Sequence, residues 1–166
     1  YGMHWPYKQH KTSRNVITLP YHDELKKHGA CFGVSGGYER PMWFSKDENN
    51  KDYKYSYNYQ NWYPSAEFET KNARTNVGLF ELSPFSKFDL KGEKVHQELQ
   101  MLCTANIKDV PGSIKYTQML NKDGGIEADL TVICIEKNYF RIVSSAANRE
   151  RDKFCLLYTS DAADES

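Results

Sequence analysis

The chain has 166 residues, 39% of them hydrophobic, which is room for one ordinary domain or for parts of two. Its 22 Lys and Arg balance its 22 Asp and Glu, so charge gives no reason to expect nucleic acid or an anionic membrane as the main partner. No apolar run approaches the ~18 residues of a membrane span, and the N-terminus lacks the basic-then-apolar order of a secretory signal.

Residues 1–20 are aromatic and basic without a clear period, and they open on Tyr1-Gly2 with no initiator Met, as a piece of a longer chain would. A short helix is expected from Asp23 to His28, stopped by Gly29. A turn at Gly36-Gly37 leads into Tyr38-Glu39-Arg40-Pro41-Met42-Trp43-Phe44, and 45–63 form a polar, tyrosine-rich connection, the best candidate for a domain boundary. Tyr53, Tyr55, Tyr57 and Tyr59 alternate with period two, a strand signal. An aromatic platform for single-stranded nucleic acid needs a cationic groove as well. Only Lys51 and Lys54 accompany these rings, so an amphipathic linker packed on a domain surface is the preferred reading.

Ser65 after Pro64 reads as an N-cap, with Glu67 and Glu69 in the first turn of a helix reaching about Asn76. Val77-Gly78-Leu79-Phe80 reads as a short buried strand, and Lys87 to Lys91 as a half-exposed one. Gly92 punctuates, and Val95, Leu99 and Leu102 then recur at helical spacing up to Cys103. After the Pro111-Gly112 turn, Ile114, Tyr116, Gln118 and Leu120 share one strand face, and Lys115, Thr117 and Met119 the other. Asn121-Lys122-Asp123-Gly124-Gly125 is a hairpin signal. Its return strand runs from Ile126 to about Glu136, and a turn at Lys137-Asn138 leads into Tyr139–Ser144. Helices around an antiparallel meander make the class α+β.

Cys31, Cys103, Cys134 and Cys155 form no C-x-x-C pair and the five His are scattered, so no metal-ligand spacing is present. Cys103 and Cys134 lie in apolar patterns and are expected as buried thiols, which suits a reducing compartment, a bacterial cytoplasm or a mitochondrial matrix.

The sharpest candidate for chemistry is Asp129. Alternation puts Ile126, Ala128, Leu130 and Val132 on one face, and Glu127, Asp129, Thr131 and Ile133 on the other. The bland reading is a carboxylate on a solvated face, holding a turn or a lysine. The functional one is a partly buried carboxylate set to hydrogen-bond a ligand nitrogen or take its proton. Tyr116, thirteen residues earlier on the partner strand, reaches the same region across the hairpin, either to stack on a planar ligand or to fill the core.

Pro111-Gly112-Ser113-Ile114-Lys115-Tyr116-Thr117-Gln118-Met119-Leu120-Asn121, then Gly124-Gly125-Ile126-Glu127-Ala128-Asp129-Leu130-Thr131-Val132, resembles the folate-binding domain of the glycine-cleavage aminomethyltransferase (T-protein). So does Val77-Gly78-Leu79-Phe80-Glu81-Leu82-Ser83. Upstream, Tyr1-Gly2-Met3-His4-Trp5-Pro6, Arg14-Asn15-Val16, Pro20-Tyr21-His22-Asp23-Glu24-Leu25 and Tyr38 to Phe44 resemble the connector of dimethylglycine and sarcosine dehydrogenases, which follows an FAD-binding domain. The resemblance covers about residues 1–154.

It implies that a flavin in the N-terminal region takes a hydride from an N-methyl amine and that tetrahydrofolate, held by the C-terminal domain, captures the one-carbon unit. It assigns Asp129, in the G-G-I-x-x-D-L motif, to orienting the folate and assisting proton transfer, and Tyr116 to lining the folate pocket. Phe85 falls near a pocket-lining methionine of the T-protein, and Ser145 takes the place of an asparagine, with fewer hydrogen bonds available to it. The sequence has no G-x-G-x-x-G after a strand; Gly33-Val34-Ser35-Gly36-Gly37 reads as a loop and not that fingerprint.

The expected layout is thus 1–20 as the end of an FAD-dependent domain, 21–63 as connector and 64–154 as part of the folate-binding domain. Residues 155–166 do not continue the family pattern and resemble a translated sequencing adapter, with no selected structure expected. The parent would be a flavin- and folate-dependent N-methyl amine dehydrogenase, and this piece alone is expected to be catalytically silent. Two alternatives are a non-catalytic regulatory subunit of the pyruvate dehydrogenase phosphatase type, which shares the layout, and a binding module using the alternating tyrosines.

Overall fold

The computed structural model describes residues 9–161. The Tyr1–Pro6 segment of the connector resemblance and residues 162–166 of the tail lie outside the described residues. The chain divides into two units between Pro84 and Phe85.

The first unit is organised by one hairpin. Strands β1 (Ala30–Ser35) and β2 (Tyr38–Phe44) pair antiparallel, and Gly36 and Gly37 join them with φ of 61° and 84°. Two successive positive φ values make the tight turn whose twist suits a hairpin, and glycine reaches them without penalty. Gly33-Val34-Ser35, expected in a loop, therefore belong to β1. Helix α1 (His22–Lys27) precedes the hairpin. Gly29 ends it at φ 85°, where an added Cβ would sit 2.2 Å from the Ser45 carbonyl oxygen, so only glycine lets the two backbones meet.

A buried ion pair fastens the preceding segment to this hairpin. Glu39 is 1% exposed. Arg14 Nε donates to its Oε1 at 2.6 Å and Nη2 to its Oε2 at 2.8 Å, and the Asn15 N–H donates to Oε1 at 2.8 Å. Arg14 Nη2 also reaches the Phe32 carbonyl at 2.9 Å. The bidentate fork and the backbone donor leave the carboxylate fully hydrogen-bonded, which a buried charge requires.

Helix α2 runs Tyr63–Thr75 with Pro64 in its first turn. It begins two residues before the expected Ser65 cap, because proline presets the helical φ and needs no N–H partner there. Glu69 consequently lies beyond the first turn, and its Oε1 accepts the Phe44 N–H at 2.8 Å. That bond ties α2 to β2, which is why the unit extends past the boundary expected at 63/64.

The tyrosine run forms no strand. Asn61 closes the segment instead: its Oδ1 accepts the Lys54 N–H at 2.9 Å, and its Nδ2 donates to Asn50 Oδ1 and the Asp52 carbonyl. Tyr53 packs edge-on against buried Trp43, with centroids 6.4 Å apart, while Tyr57 is fully exposed. Period two here reflects an extended coil with local ring contacts. The expected buried strand at Val77–Phe80 is likewise absent; Val77 and Leu79 are each 91% exposed.

The second unit is a four-stranded antiparallel sheet in the order β3-β6-β5-β4, formed by β3 (Ser86–Lys91), β4 (Ile114–Leu120), β5 (Ile126–Glu136) and β6 (Tyr139–Ser144). The meander β4-β5-β6 follows the sequence pattern; β3 joins it by a long-range pairing with β6. One face packs against α3 (Val95–Leu102) and α4 (Arg149–Asp161). Val95, Leu99, Met119, Leu130, Val132, Phe140, Ile142 and Leu156 form its core, with Cys103 and Cys134 as buried thiols. Burial pushes the Cys103 thiol up to about 11.

Ile126, which alternation grouped with Ala128, Leu130 and Val132, is exposed while those three are buried; the register shifts between Met119 and Leu120, and Leu120 is its partner. Helix α4 crosses the 154/155 boundary where a foreign tail was expected to begin, and Leu156 is only 8% exposed. Secondary structure and topology together make an α+β fold.

Three consequences are measurable. Glu39→Gln leaves Arg14 without its counter-charge and is expected to cost the first unit about 3 kcal/mol in urea unfolding, read by tryptophan fluorescence. The described tryptophans, Trp43 and Trp62, both belong to that unit. In the second unit, Arg141 holds the Asp89 carboxyl down from 3.8 to about 2, by hydrogen bonds of 2.7 and 2.9 Å. The pair's contribution is therefore present above the ordinary carboxylate range and fades as pH falls toward about 2, which an NMR titration of Asp89 would follow. Leu156→Ala is expected to lower hydrogen-exchange protection of the Phe140 and Ile142 amides by about 2 kcal/mol; unchanged protection would mean that α4 adds nothing to the core.

Candidate functional site

The site is built on the outer face of the second sheet. Ser86 lies opposite Ser144, Ser144 opposite Leu130 and Leu130 opposite Thr117, and all four are buried. Because successive side chains alternate between faces, the next row points away from the core. It holds Asp129 opposite Gln118, with Ser145 and Phe85 just past the ends of β6 and β3. Phe85 is 41% exposed and Ser145 is exposed. The four residues singled out in the sequence, Tyr116, Asp129, Phe85 and Ser145, thus gather toward one end of this face, with Tyr116 diagonal to Asp129.

Asp129 is exposed, not partly buried as one reading of the sequence had it. Gln118 Nε2 donates to its Oδ1 at 2.9 Å. Tyr116 is directly opposite Thr131, one step diagonal from Asp129. Its phenol is held above the ordinary range, first by hydrogen bonding to the Asp129 carboxylate. The Tyr116 ring is 64% exposed, which disposes of the core-filling alternative and leaves it open for stacking.

The turn is held by another residue. Asn121 Oδ1 accepts the Asp123 and Gly125 N–H groups at 3.0 and 2.8 Å, and its Nδ2 donates to Glu127 Oε1 at 2.8 Å. Gly124 supplies the positive φ, 80°. Asp129 is accordingly not needed for turn geometry. An exposed carboxylate beside an exposed ring, both on a rigid sheet, can accept N–H hydrogen bonds from a planar ligand while the ring stacks on it.

Gln118 was missed as a partner in the sequence. Its face was legible, since it shares that of Tyr116, but its partner was not: a regular count from the Asn121–Gly125 turn sets Gln118 opposite Ala128, and the shift between Met119 and Leu120 moves it opposite Asp129.

Ser145 caps a 3-10 turn, Ala146–Asn148, through its backbone, its carbonyl accepting the Asn148 N–H at 3.2 Å. Beyond it, Arg151 Nη2 donates to the Glu127 carbonyl and joins α4 to β5. Among the described residues, no three His, Cys, Asp or Glu side chains form a group that would hold a metal ion. No described helix is long and apolar enough to cross a membrane.

Comparison with known proteins agrees with this architecture. The chain is 38% identical over 151 residues to 4-methylaminobutanoate oxidase (formaldehyde-forming) of Paenarthrobacter nicotinovorans, a match covering 91% of this chain and 18% of that protein. It is 31% identical over 156 residues to mitochondrial sarcosine dehydrogenase of Mus musculus, covering 80% and 17%. The chain therefore spans less than a fifth of the length of these relatives. Its fold matches the glycine cleavage system aminomethyltransferase T of Bartonella henselae with a TM-score of 0.70, at 23% identity, over 86% of this chain and 35% of that one. The GCVT N-terminal domain profile matches residues 21–161, and the chain belongs to that family.

Proposed function

We propose that the chain is part of a flavin-linked N-methyl amine dehydrogenase and that its second unit contributes to a site where a one-carbon unit passes to tetrahydrofolate. The observation that carries this reading is the exposed Asp129 carboxylate, bonded to Gln118 and diagonal to the exposed Tyr116 on an open sheet face. The donor and acceptor sets suit a folate: its ring system offers N–H groups to a carboxylate and a flat face to an aromatic ring. Tetrahydrofolate, when bound, supplies the nitrogen that accepts the one-carbon unit.

In this reading Asp129 accepts a ligand N–H and is positioned to take or return a proton there. Tyr116 offers its ring as a stacking surface and its hydroxyl to Asp129. Phe85 and Ser145 border the same row as an apolar and a polar flank. The parent's layout follows: an FAD-dependent domain ending near residue 20, a connector to about residue 63 and the folate domain beyond. No residue of this chain is assigned to the flavin. The relatives' names support the amine dehydrogenase class.

Isothermal titration of the 166-residue chain with folinic acid, a stable reduced folate, tests the reading. Asp129→Asn is expected to weaken binding at least tenfold, the usual loss of a charge-assisted hydrogen bond. Equal affinity for the variant would remove Asp129 from the site. In the full-length parent, the same variant is expected to uncouple amine-dependent dye reduction, which continues, from one-carbon transfer to tetrahydrofolate, which falls.

A further inference from the structure

Asp129 sits at the end of a hydrogen-bond chain that begins in the core. Thr117 is 1% exposed, and its Oγ1 accepts the Ala105 N–H at 3.1 Å. Thr117 Oγ1 and Thr104 Oγ1 are 3.2 Å apart, and the Thr104 hydroxyl lies 3.3 Å from Gln118 Oε1. Gln118 then donates from Nε2 to Asp129 Oδ1 at 2.9 Å.

Counting protons fixes the direction at Gln118. A glutamine amide facing a carboxylate must present its NH2 group, so its oxygen faces Thr104 and requires a donor. Thr104 has one hydroxyl proton; spent on Gln118, it leaves the oxygen to accept from Thr117, whose single proton is shared between Thr104 Oγ1 at 3.2 Å and the Gln118 carbonyl at 3.4 Å. With the Thr117 proton on Thr104, the dipoles point from the Ala105 N–H to the carboxylate, and aligned hydrogen bonds polarise one another.

The backbone holds the chain in place. Thr104 N–H donates to the Gln118 carbonyl at 3.0 Å, and Cys103 bridges to Met119, so the residues after α3 lie along the edge of β4. A free glutamine on a strand face explores many rotamers; this one is gripped at both ends of its amide.

We propose that Gln118 is a positioning residue, held by Thr104 and Thr117, that fixes the Asp129 carboxylate as an oriented anionic acceptor for a ligand on the open sheet face. The proposal rests on the folate reading for the identity of the ligand alone. Gln118 need not touch the ligand. It engages Oδ1 in advance, so Asp129 meets an incoming N–H in one orientation without paying for rotamer ordering at that moment. The other titratable groups on this face are Tyr116 and Glu127 on the hairpin, Tyr139 and Arg141 on β6, and Lys87, Asp89 and Lys91 on β3; Arg141 and Asp89 are paired with each other.

The test uses the 166-residue chain and three variants. Gln118→Leu removes the donor and is expected to weaken folinic acid binding about tenfold. Thr104→Val breaks the chain one link earlier, at nearly constant shape, and is expected to give a smaller loss in the same direction. Gln118→Glu sets two carboxyls together, so that one of them holds a proton at a higher pH than either would alone. At pH about 8 it should bind as weakly as Gln118→Leu; toward pH about 5 the introduced carboxyl, once protonated, donates to Asp129 and affinity recovers relative to Gln118→Leu. A merely structural glutamine predicts no such recovery, and parallel pH profiles for the two variants would overturn the proposal.

A second readout needs no folate. NMR three-bond couplings of Asp129 should report one side-chain rotamer in the native chain and averaging over rotamers in Gln118→Leu; unchanged couplings also overturn the proposal. Rotamer averaging in Gln118→Leu, in a chain that fails to bind folinic acid, would sink the folate reading and leave the positioning chain standing.

Discussion

The register between β4 and β5 is the constraint on which the candidate site depends. Side chains alternate with period two, so a one-residue slip of β5 would turn Asp129 into the core and expose Leu130 and Val132, and a slip of β4 would turn Gln118 and Tyr116 inward and expose Thr117. Two devices hold it. The Gly124 turn, bonded by Asn121, sets the loop length, and the buried row Thr117, Leu130, Ser144 and Ser86 locks three strand pairings together. Apolar burial resists the slip: exposing Leu130 and Val132 alone would forfeit about 3–6 kcal/mol, a large share of a domain's net stability.

That arrangement separates the duties of the two faces. The inner face carries Phe140 and Ile142, both 0% exposed, and packs on α3 and α4. Stability is drawn from there, so the outer face can hold polar groups that contribute little to folding. Thr117 bridges the two. It is buried with the core residues, yet its hydroxyl accepts from Ala105 and meets Thr104, carrying the order of the interior out to Gln118.

Much of the second unit was legible in the sequence because its signals are local. The glycine turn, the alternation through Ile126–Glu136 and the helical spacing of Val95, Leu99 and Leu102 each need only neighbouring residues. The β3–β6 pairing joins residues about fifty apart, and nothing local announces it. In the first unit, local signals misled. Alternating tyrosines promised a strand, but pairing needs a second strand, and Asn61 closed a coil instead. Ser65 looked like a cap, but Pro64 had already opened the helix. Val77–Phe80 has the composition of a buried strand and no partner strand among the described residues of its unit. Glu39 drew no attention as one charge among 44, since its worth comes from Arg14, 25 positions away.

Two carboxylates on the outer face sharpen the reading of Asp129. Asp89 and Asp129 both stand on exposed strand positions and both interact with a tyrosine hydroxyl, Tyr139 for one and Tyr116 for the other. They differ in the remaining partner. Asp89 receives a bidentate fork from Arg141, which matches its charge and holds its carboxyl at about 2. Asp129 receives a neutral amide. A guanidinium would neutralise the carboxylate and occupy both oxygens, leaving it little to offer a ligand. An amide orients the group while leaving its charge uncompensated, and an exposed carboxylate loses little by waiting in water. On one sheet, then, the same side chain serves two ends: with arginine it becomes part of the scaffold, and with glutamine it remains an acceptor.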